Sequence, residues 1–303
     1  MIVMDKVFLP KNYDYIELNN GIEALLKKYT FIKKKSIGKS CLGKEITALV
    51  VGNGENFSLI AAGFHGSEHI TTNVLMMWFE DICEAIYNNT YLNGINIKKA
   101  LYGRGIVIVP RVNLDGCDIS IMGEKACGEK AEEIRNMVKG DFVHYNANYR
   151  GVDINHNFNA NWAMVRANEK KLGILGPAPT RFGGYSPESE PETKALCDLC
   201  RHNNIRHVIA LHSQGRVIYW TYGEQRPYNS RRMAEILSTA SGYALDYAVG
   251  IADGGGFKDW FIKEFDRPGF TIEIGKGKNP LHIESAKDLY YEVKECLTLS
   301  IIL

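Results

Sequence analysis

Short apolar runs alternate along the chain with longer stretches in which apolar residues recur at helical spacing. Four runs have the nearly continuous apolar character of strands buried on both faces of a sheet: 57–62, 105–109, 208–211 and 270–274. After the first run, apolar residues recur every three or four positions, from Val74 to Ile86, which predicts a long helix. This alternation favours one α/β layered domain. Because no linker-like or repetitive stretch divides the chain, we expect residues 1–303 to form a single domain.

The same patterns predict further elements. Helices are expected over 21–29, 129–138, 257–265 and 284–302, and two strands joined by a turn over 37–51. Ser189 and Glu192 form a capping-box pattern that predicts a helix start. The polar stretch 117–149 is interpreted as an irregular surface insertion around one of these helices.

The amino-acid composition argues against several classes of function. The chain has 45% hydrophobic and 23% charged residues and a net charge of +1, so it lacks the basic excess typical of nucleic-acid or membrane-surface binding. No apolar run is long enough to span a membrane. The first ten residues lack the apolar core of a signal peptide, and we therefore expect a cytoplasmic protein. Seven cysteines show no framework spacing, and Cys197-x-x-Cys200 is interpreted as helix packing.

A histidine and a glutamate follow the first buried run directly. His65 and Glu68 lie after the strand and before the long helix, where ligands bind in open α/β sheets, and both are side chains that bind zinc. His65-x-x-Glu68-His69 also matches a helix-borne zinc motif with two histidine ligands. Because glycines flank His65, we favour His65 and Glu68 as the ligands and expect His69 at the helix start. A polar turn without metal is the simplest alternative for this short pattern.

Two more polar residues occur at similar places. His212 directly follows the run 208–211. Glu273 lies inside the run 270–274, and a carboxylate buried in such a strand needs a partner. A hydrogen-bonded loop histidine and a lysine-paired glutamate would explain each residue separately. Their occurrence together with His65 and Glu68 favours a catalytic metal site.

These segments together resemble the zinc carboxypeptidase family. The matching motifs run in the family's order: His65-Gly66-Ser67-Glu68, Pro110-Arg111-Val112-Asn113-Leu114-Asp115-Gly116, Gly151-Val152-Asp153-Ile154-Asn155, Ser189-Glu190-Pro191-Glu192, Leu211-His212-Ser213 and Thr271-Ile272-Glu273. The resemblance implies a three-layer α/β/α sandwich with a mixed, mostly parallel eight-stranded sheet. It also implies that residues 1–303 are one zinc peptidase catalytic domain acting on a small peptide substrate.

The resemblance implies a role for each matching residue. His65, Glu68 and His212 would bind one Zn²⁺ ion, and Glu273 would be the general base that takes a proton from the attacking water. Asp153 would orient a histidine ligand. Asn155 would bind the substrate carboxylate, and Arg150 is the candidate for the arginine that stabilises the oxyanion.

The chain also departs from the ordinary family pattern. His156 stands in Asn155-His156-Asn157 where the family has an arginine that clamps a terminal carboxylate. Ile251 falls where pancreatic-type enzymes carry a tyrosine. The usual handling of a peptide C-terminus is therefore in question, and His156 is expected either to replace the arginine with a weaker contact or to fill space.

Two regions resemble bacterial γ-D-glutamyl-meso-diaminopimelate peptidases: His212-Ser213-Gln214-Gly215, and the stretch from Gly255 to Leu281 with its Asn279-Pro280-Leu281 motif. The resemblance implies hydrolysis of peptidoglycan-derived peptides. Lys258 is then expected to meet a substrate carboxylate, with an exposed helix lysine as the alternative. Competing hypotheses are a zinc carboxypeptidase or deglutamylase for other peptides, and a non-catalytic binding protein on the same fold.

Overall fold

The computed structural model describes residues 5–52, 54–247 and 254–303. Helices in these ranges are α1 (Tyr15–Lys28), α2 (Ile70–Asn88), α3 (Ile97–Ala100), α4 (Leu114–Met122), α5 (Ala131–Val138), α6 (Trp162–Lys171), α7 (Pro191–Arg201), α8 (Ser230–Ser241), α9 (Phe257–Phe265) and α10 (Ala286–Leu299). Strands are β1 (Lys33–Lys39), β2 (Glu45–Gly52), β3 (Phe57–Ala61), β4 (Tyr91–Leu92), β5 (Ile95–Asn96), β6 (Gly105–Val109), β7 (Ile205–Ser213), β8 (Val217–Tyr219), β9 (Ala244–Asp246) and β10 (Gly269–Ile274).

Eight of the described strands form one mixed sheet in the order β1-β2-β6-β3-β7-β10-β8-β9, and β4 pairs with β5 in a separate hairpin. The central strands β6, β3, β7 and β10 are parallel to one another. Pairing is antiparallel from β1 to β2, from β2 to β6 and from β10 to β8. The carboxyl ends of the four central strands therefore lie at one edge of the sheet, where ligands bind in open α/β sheets.

Alternate residues of the central strands enter two hydrophobic cores, one on each face of the sheet. Ile60 and Ile209 belong to the core that also contains the apolar faces of α1, α2, α8 and α10. Leu59 and Val208 belong to the core built with α7 and α9. Helices thus cover both faces, as the family resemblance implies, and the expected α/β/α sandwich with a mixed eight-stranded sheet is confirmed over the described residues.

Several local predictions need correction. Helix α1 begins at Tyr15 rather than residue 21, because Asp14 caps it by accepting a hydrogen bond from the Glu17 amide. The stretch 117–149 is less irregular than expected, since α4 extends to Met122 and is mostly buried. The capping box at Ser189 is wrong, because Glu190 is the N-cap of α7 and its amide donates to Asn157 Oδ1.

Other elements follow the predicted pattern closely. Helix α9 has the predicted bounds, and the closing helix α10 is shorter at both ends than residues 284–302. Cys197 and Cys200 are buried free thiols in α7, which confirms their interpretation as helix packing. Among the described residues, no helix has the length and apolar character that crossing a bilayer requires.

Candidate metal centre

His65 and Glu68 lie in a tight turn between β3 and α2. The turn leaves β3 through Gly63, whose φ of +63° suits glycine and where a Cβ would lie 2.9 Å from Arg111 Cγ. A single 3₁₀ turn spans Gly66–Glu68, and His69 is the N-cap of α2. His65 itself is extended, so His65 and His69 do not share a helical face as the helix-borne motif requires.

The structure brings His65, Glu68 and His212 together, and their ligand-type atoms lie within 4.8 Å of one another. His65 Nδ1 is 2.9 Å from Glu68 Oε1, and His212 Nδ1 is 3.0 Å from Glu68 Oε2. Both imidazoles therefore direct the same type of nitrogen to one carboxylate. His212 comes from the end of β7, and Phe64 stacks on its ring at a centroid distance of 4.9 Å.

Asp153 holds the other nitrogen of His65. Its Oδ1 is 3.1 Å from His65 Nε2, while Oδ2 accepts a hydrogen bond from the Arg181 amide. A carboxylate on the far nitrogen of a ligating histidine selects the tautomer and orients the ring. Burial alone would raise the pKa of Asp153, but His65, His156 and the Arg181 amide hold it below its ordinary value.

The two carboxylates at this edge have opposite electrostatic environments. Burial would raise the pKa of Glu68, but His65 and His212 lower it to about 2. The pKa of Glu273 is raised well above its ordinary value, first by burial and then by the negative charge of Glu68. Glu273 pairs in register with His212 across β10 and β7, which places it beside the group.

The donor set fits zinc. Two imidazoles and one carboxylate are the protein ligands of many catalytic zinc sites, which keep a further position for water or substrate. The turn, the end of β7 and the contact with Asp153 hold these three candidate side chains close together. His69 is buried at the start of α2, and burial lowers the pKa of its imidazole to about 4, with Arg111 adding to the effect.

Asn155 and Arg150, which are predicted to bind substrate or to stabilise the oxyanion, lie in different surroundings. Asn155 Oδ1 accepts a hydrogen bond from the Phe257 amide, so the segment after Asp153 packs against the start of α9. Arg150 is 54% exposed at its side chain and lies 3.7 Å from Glu190, outside the hydrogen bonds of the histidine group. Ile251 lies outside the described residues.

His156 and Lys258 each have an acidic partner. His156 Nδ1 is 2.8 Å from Glu169 Oε1, and Arg166 pairs with the other oxygen of that buried carboxylate. Lys258 is only 3% exposed and donates to Asp259 and to the Thr221 carbonyl, so the alternative of an exposed helix lysine is wrong.

Sequence reasoning missed Glu169 and Asn279. Glu169 is fully buried and contacts His156 across thirteen positions of the chain, which no local pattern encodes. Asn279 Nδ2 donates to Glu68 Oε1 at 3.3 Å. Asn279 belongs to the Asn279-Pro280-Leu281 motif identified in the sequence, but the sequence did not indicate that its partner is Glu68.

A second group of possible ligands lies at Cys41, Asp115 and Glu192. Protein donors already serve it: Asn148 Nδ2 donates to Glu192 and to Cys41 Sγ, and Lys44 Nζ lies 3.0 Å from Asp115 Oδ1. We therefore assign no metal to these residues.

Comparison with known proteins adds independent findings. A family model described as zinc carboxypeptidase matches residues 18–298. The chain is 36% identical over 293 residues to Gamma-D-glutamyl-L-diamino acid endopeptidase 1 from Lysinibacillus sphaericus, covering 93% of this chain and 70% of that protein. It is 27% identical over 261 residues to Carboxypeptidase B from Rattus norvegicus, covering 80% of this chain and 58% of that protein.

The structural comparison agrees on the fold. Bovine thrombin-activatable fibrinolysis inhibitor, solved in complex with tick carboxypeptidase inhibitor, matches with a TM-score of 0.75 at 22% identity. The match covers 96% of this chain and 97% of that one. At this level of identity the likeness carries the architecture alone.

Proposed function

This chain belongs to the zinc carboxypeptidase family, and on that premise we propose that it hydrolyses the γ-D-glutamyl-meso-diaminopimelate bond of peptidoglycan-derived peptides. The family uses one catalytic Zn²⁺, and the chain is a zinc metallopeptidase. The proposed domain is the whole chain, residues 1–303, acting as one catalytic unit.

The observation that carries the proposed substrate is the 36% identity to Gamma-D-glutamyl-L-diamino acid endopeptidase 1, which exceeds the 27% identity to Carboxypeptidase B. The departure at His156 supports it, because the residue that replaces the family's carboxylate-clamping arginine cannot form a bidentate fork. A substrate whose recognition differs from that of an ordinary C-terminal peptide fits this change.

In the proposed site, His65, Glu68 and His212 bind the zinc ion and Asp153 orients His65. Zinc at such a site would polarise the substrate carbonyl as a Lewis acid. It would also lower the pKa of water, so that a nucleophilic hydroxide is available near neutral pH. The approach of both Nδ1 atoms to one carboxylate supports this ligand set.

Glu273 is the proposed general base. It takes a proton from the attacking water and passes it to the leaving amine of diaminopimelate, so that the same carboxylate serves both halves of the reaction. Burial and the neighbouring Glu68 raise its pKa, and this supports the role because a carboxylate with a raised pKa is a stronger base toward the proton of the attacking water.

The proposed substrate contacts come from two segments, the one after Asp153 and the start of α9. Asn155 lies two positions after Asp153 and accepts a hydrogen bond from the Phe257 amide at the start of α9, so that Asn155, His156 and Lys258 belong to neighbouring segments. Asn155 binds a substrate carboxylate. His156 and Lys258 contribute to the charge of the proposed substrate site, although Glu169 is the partner of His156 and Asp259 is the partner of Lys258. Arg150 remains the proposed oxyanion residue.

The direct test is mass spectrometry of products from L-Ala-γ-D-Glu-meso-diaminopimelate, with and without a zinc chelator. We expect L-Ala-D-Glu and free diaminopimelate, and no products with the chelator. Release of C-terminal residues from ordinary peptides, with the tripeptide left intact, would instead support the second candidate, a zinc carboxypeptidase or deglutamylase. That candidate is favoured by the likeness to Carboxypeptidase B.

A further inference from the structure

The Asn279-Pro280-Leu281 motif lies in the segment between β10 and α10. It has no role among the proposed ligands, base and substrate contacts. In the structure, however, Asn279 reaches back to the turn after β3, a separation of more than two hundred positions, and its side-chain amide contacts Glu68.

Four hydrogen bonds join Asn279, Ser213 and Glu68. Asn279 Nδ2 donates to Glu68 Oε1 at 3.3 Å and to the Ser213 carbonyl at 2.5 Å. Asn279 Oδ1 accepts from Ser213 Oγ at 2.8 Å. The Ser213 amide donates to Glu68 Oε2 at 3.1 Å. Each carboxylate oxygen of Glu68 therefore has one donor from outside the histidine pair.

These hydrogen bonds restrict the rotation of the Glu68 carboxylate. A glutamate side chain has three rotatable bonds, and its two oxygens together offer about four lone-pair sites. Asn279 and the Ser213 amide occupy one site on each oxygen, which leaves the others for the side where His65 Nδ1 and His212 Nδ1 lie. Ser213 also locks the Asn279 amide orientation, because Oδ1 and Nδ2 both bond to the same residue.

We infer that Asn279 is a positioning residue for the metal site, which holds the Glu68 carboxylate in its ligating orientation. The inference rests on the proposed ligand set and extends it. Asn279 bonds to Glu68 and to Ser213 and acts on the metal site through the Glu68 carboxylate, so it is not a catalytic residue. Partners that orient metal ligands in this way typically contribute 10–100-fold to metal affinity or activity.

The test is the zinc dissociation constant of the full chain, measured by competition with a chromogenic chelator. For Asn279→Ala we expect a rise of about 10–100-fold. Ser213→Ala removes the Oγ anchor but keeps the backbone donor to Glu68, and its effect should lie between those of wild type and Asn279→Ala. The matched control is Asn203→Ala, which removes an asparagine that donates to the Leu199 carbonyl at the end of α7 and should bind zinc as wild type does.

The thermal midpoint of the metal-free protein separates positioning from simple stabilisation. We expect Asn279→Ala and Asn203→Ala to shift it by similar small amounts. If Asn279→Ala folds and binds zinc within twofold of wild type, the inference is overturned. It is also overturned if the loss of affinity comes with a much larger loss of metal-free stability than in Asn203→Ala.

Failure of the proposed metal site has a different signature. In that case wild type would not bind one zinc per chain, or His212→Ala would bind it as tightly as wild type. With one zinc in wild type and none in His212→Ala, the Asn279 result bears on the inference alone.

Discussion

Glu68 and Glu273 lie at the same edge of the sheet but differ in their partners. Glu68 has an imidazole nitrogen within about 3 Å of each oxygen, and these contacts outweigh burial and lower its pKa. For Glu273, burial and the charge of Glu68 raise the pKa and outweigh the opposing effect of His65. One carboxylate is thus suited to stay ionised as a ligand, and the other is suited to exchange a proton.

Replacing Glu273 by glutamine tests this division of roles. Glu273→Gln keeps the shape and the polar amide but cannot accept the water proton, so we expect kcat to fall by about 10²–10⁴-fold. Zinc content should stay at one per chain, because the three proposed ligands are unchanged. Glu284→Gln, an exposed substitution of the same type, is the control. Equal kcat values for Glu273→Gln and wild type would instead support the non-catalytic binding hypothesis.

His212 and His69 are the alternative candidates for the second imidazole ligand, and the zinc content of their alanine variants distinguishes them. His212→Ala removes a nitrogen that faces Glu68, and we expect it to abolish stoichiometric zinc binding. His69→Ala removes a buried side chain that lies outside the ligand group, so zinc should remain bound. Atomic absorption of the dialysed proteins measures this, and the reverse pattern would favour the helix-borne motif.

At the scale of elements, the turn between β3 and α2 is held by close backbone approaches. The Gly66 amide donates to the Asn146 carbonyl, and Ser67 Oγ donates to Asn146 Oδ1. Asn113 Nδ2 bonds to the carbonyls of Phe64 and Ala147 and so joins the turn to the segment after α5. The position of His65 and Glu68 therefore depends on two other segments of the chain.

Gly66 is the point at which this packing leaves no room for a side chain. A Cβ there would lie 2.3 Å from the Tyr145 carbonyl oxygen and 2.4 Å from the Gly116 carbonyl oxygen, and backbone atoms cannot move aside cheaply. For Gly66→Ala we expect a loss of about 1–3 kcal/mol in the free energy of unfolding, as for other overpacked sites, together with weaker zinc binding.

Urea unfolding of the metal-free protein measures the stability change. Gly176→Ala is the matched control, because the nearest atom to its added Cβ would be Tyr185 Oη at an ordinary 3.7 Å. If both alanine variants had wild-type stability, the turn would be more adaptable than these distances imply.

At the scale of the whole molecule, a group of buried carboxylates joins distant parts of the chain. Asn148 Nδ2 donates to Glu190 and Glu192, and the Cys41 amide donates to Glu192. These contacts connect the β1–β2 turn, the segment between α5 and Asp153, and the start of α7. Burial is the main reason that the pKa of Glu192 rises from 4.5 to about 7.

This shift predicts a dependence of stability on pH. Between pH 4.5 and about 7 the unfolded chain has released the Glu192 proton while the folded chain retains it, so the stability that this group contributes falls as the pH rises through that window. Glu192→Gln cannot ionise and should lack this fall. At about 1.4 kcal/mol per pKa unit, the difference between pH 4.5 and 7.5 is on the order of 3 kcal/mol.

Urea unfolding at several pH values, with Glu192→Gln and the exposed control Glu295→Gln, measures this difference. The control should keep the wild-type slope. Parallel profiles for wild type and Glu192→Gln would contradict the shift.

The sequence by itself determined the buried strands and the residues that follow them. The runs at β3, β6, β7 and β10 are apolar on both faces, and this local property is readable without knowing any partner. Since the carboxyl ends of parallel strands lie at one edge of the sheet, the sequence alone predicts that His65, Glu68, His212 and Glu273 meet there. The family motifs added the expected role of each.

Only the tertiary structure decided which side chains are the partners of the candidate site residues. Glu169 beside His156, Asn279 on Glu68 and Glu190 beside Arg150 are contacts across loops whose paths depend on packing rather than on local periodicity. Helix α4 was missed for a similar reason: it is buried on most sides, so it lacks the amphipathic pattern by which surface helices are recognised. A hydrophobic pattern records burial, whereas the partner of a polar side chain is a property of the folded chain.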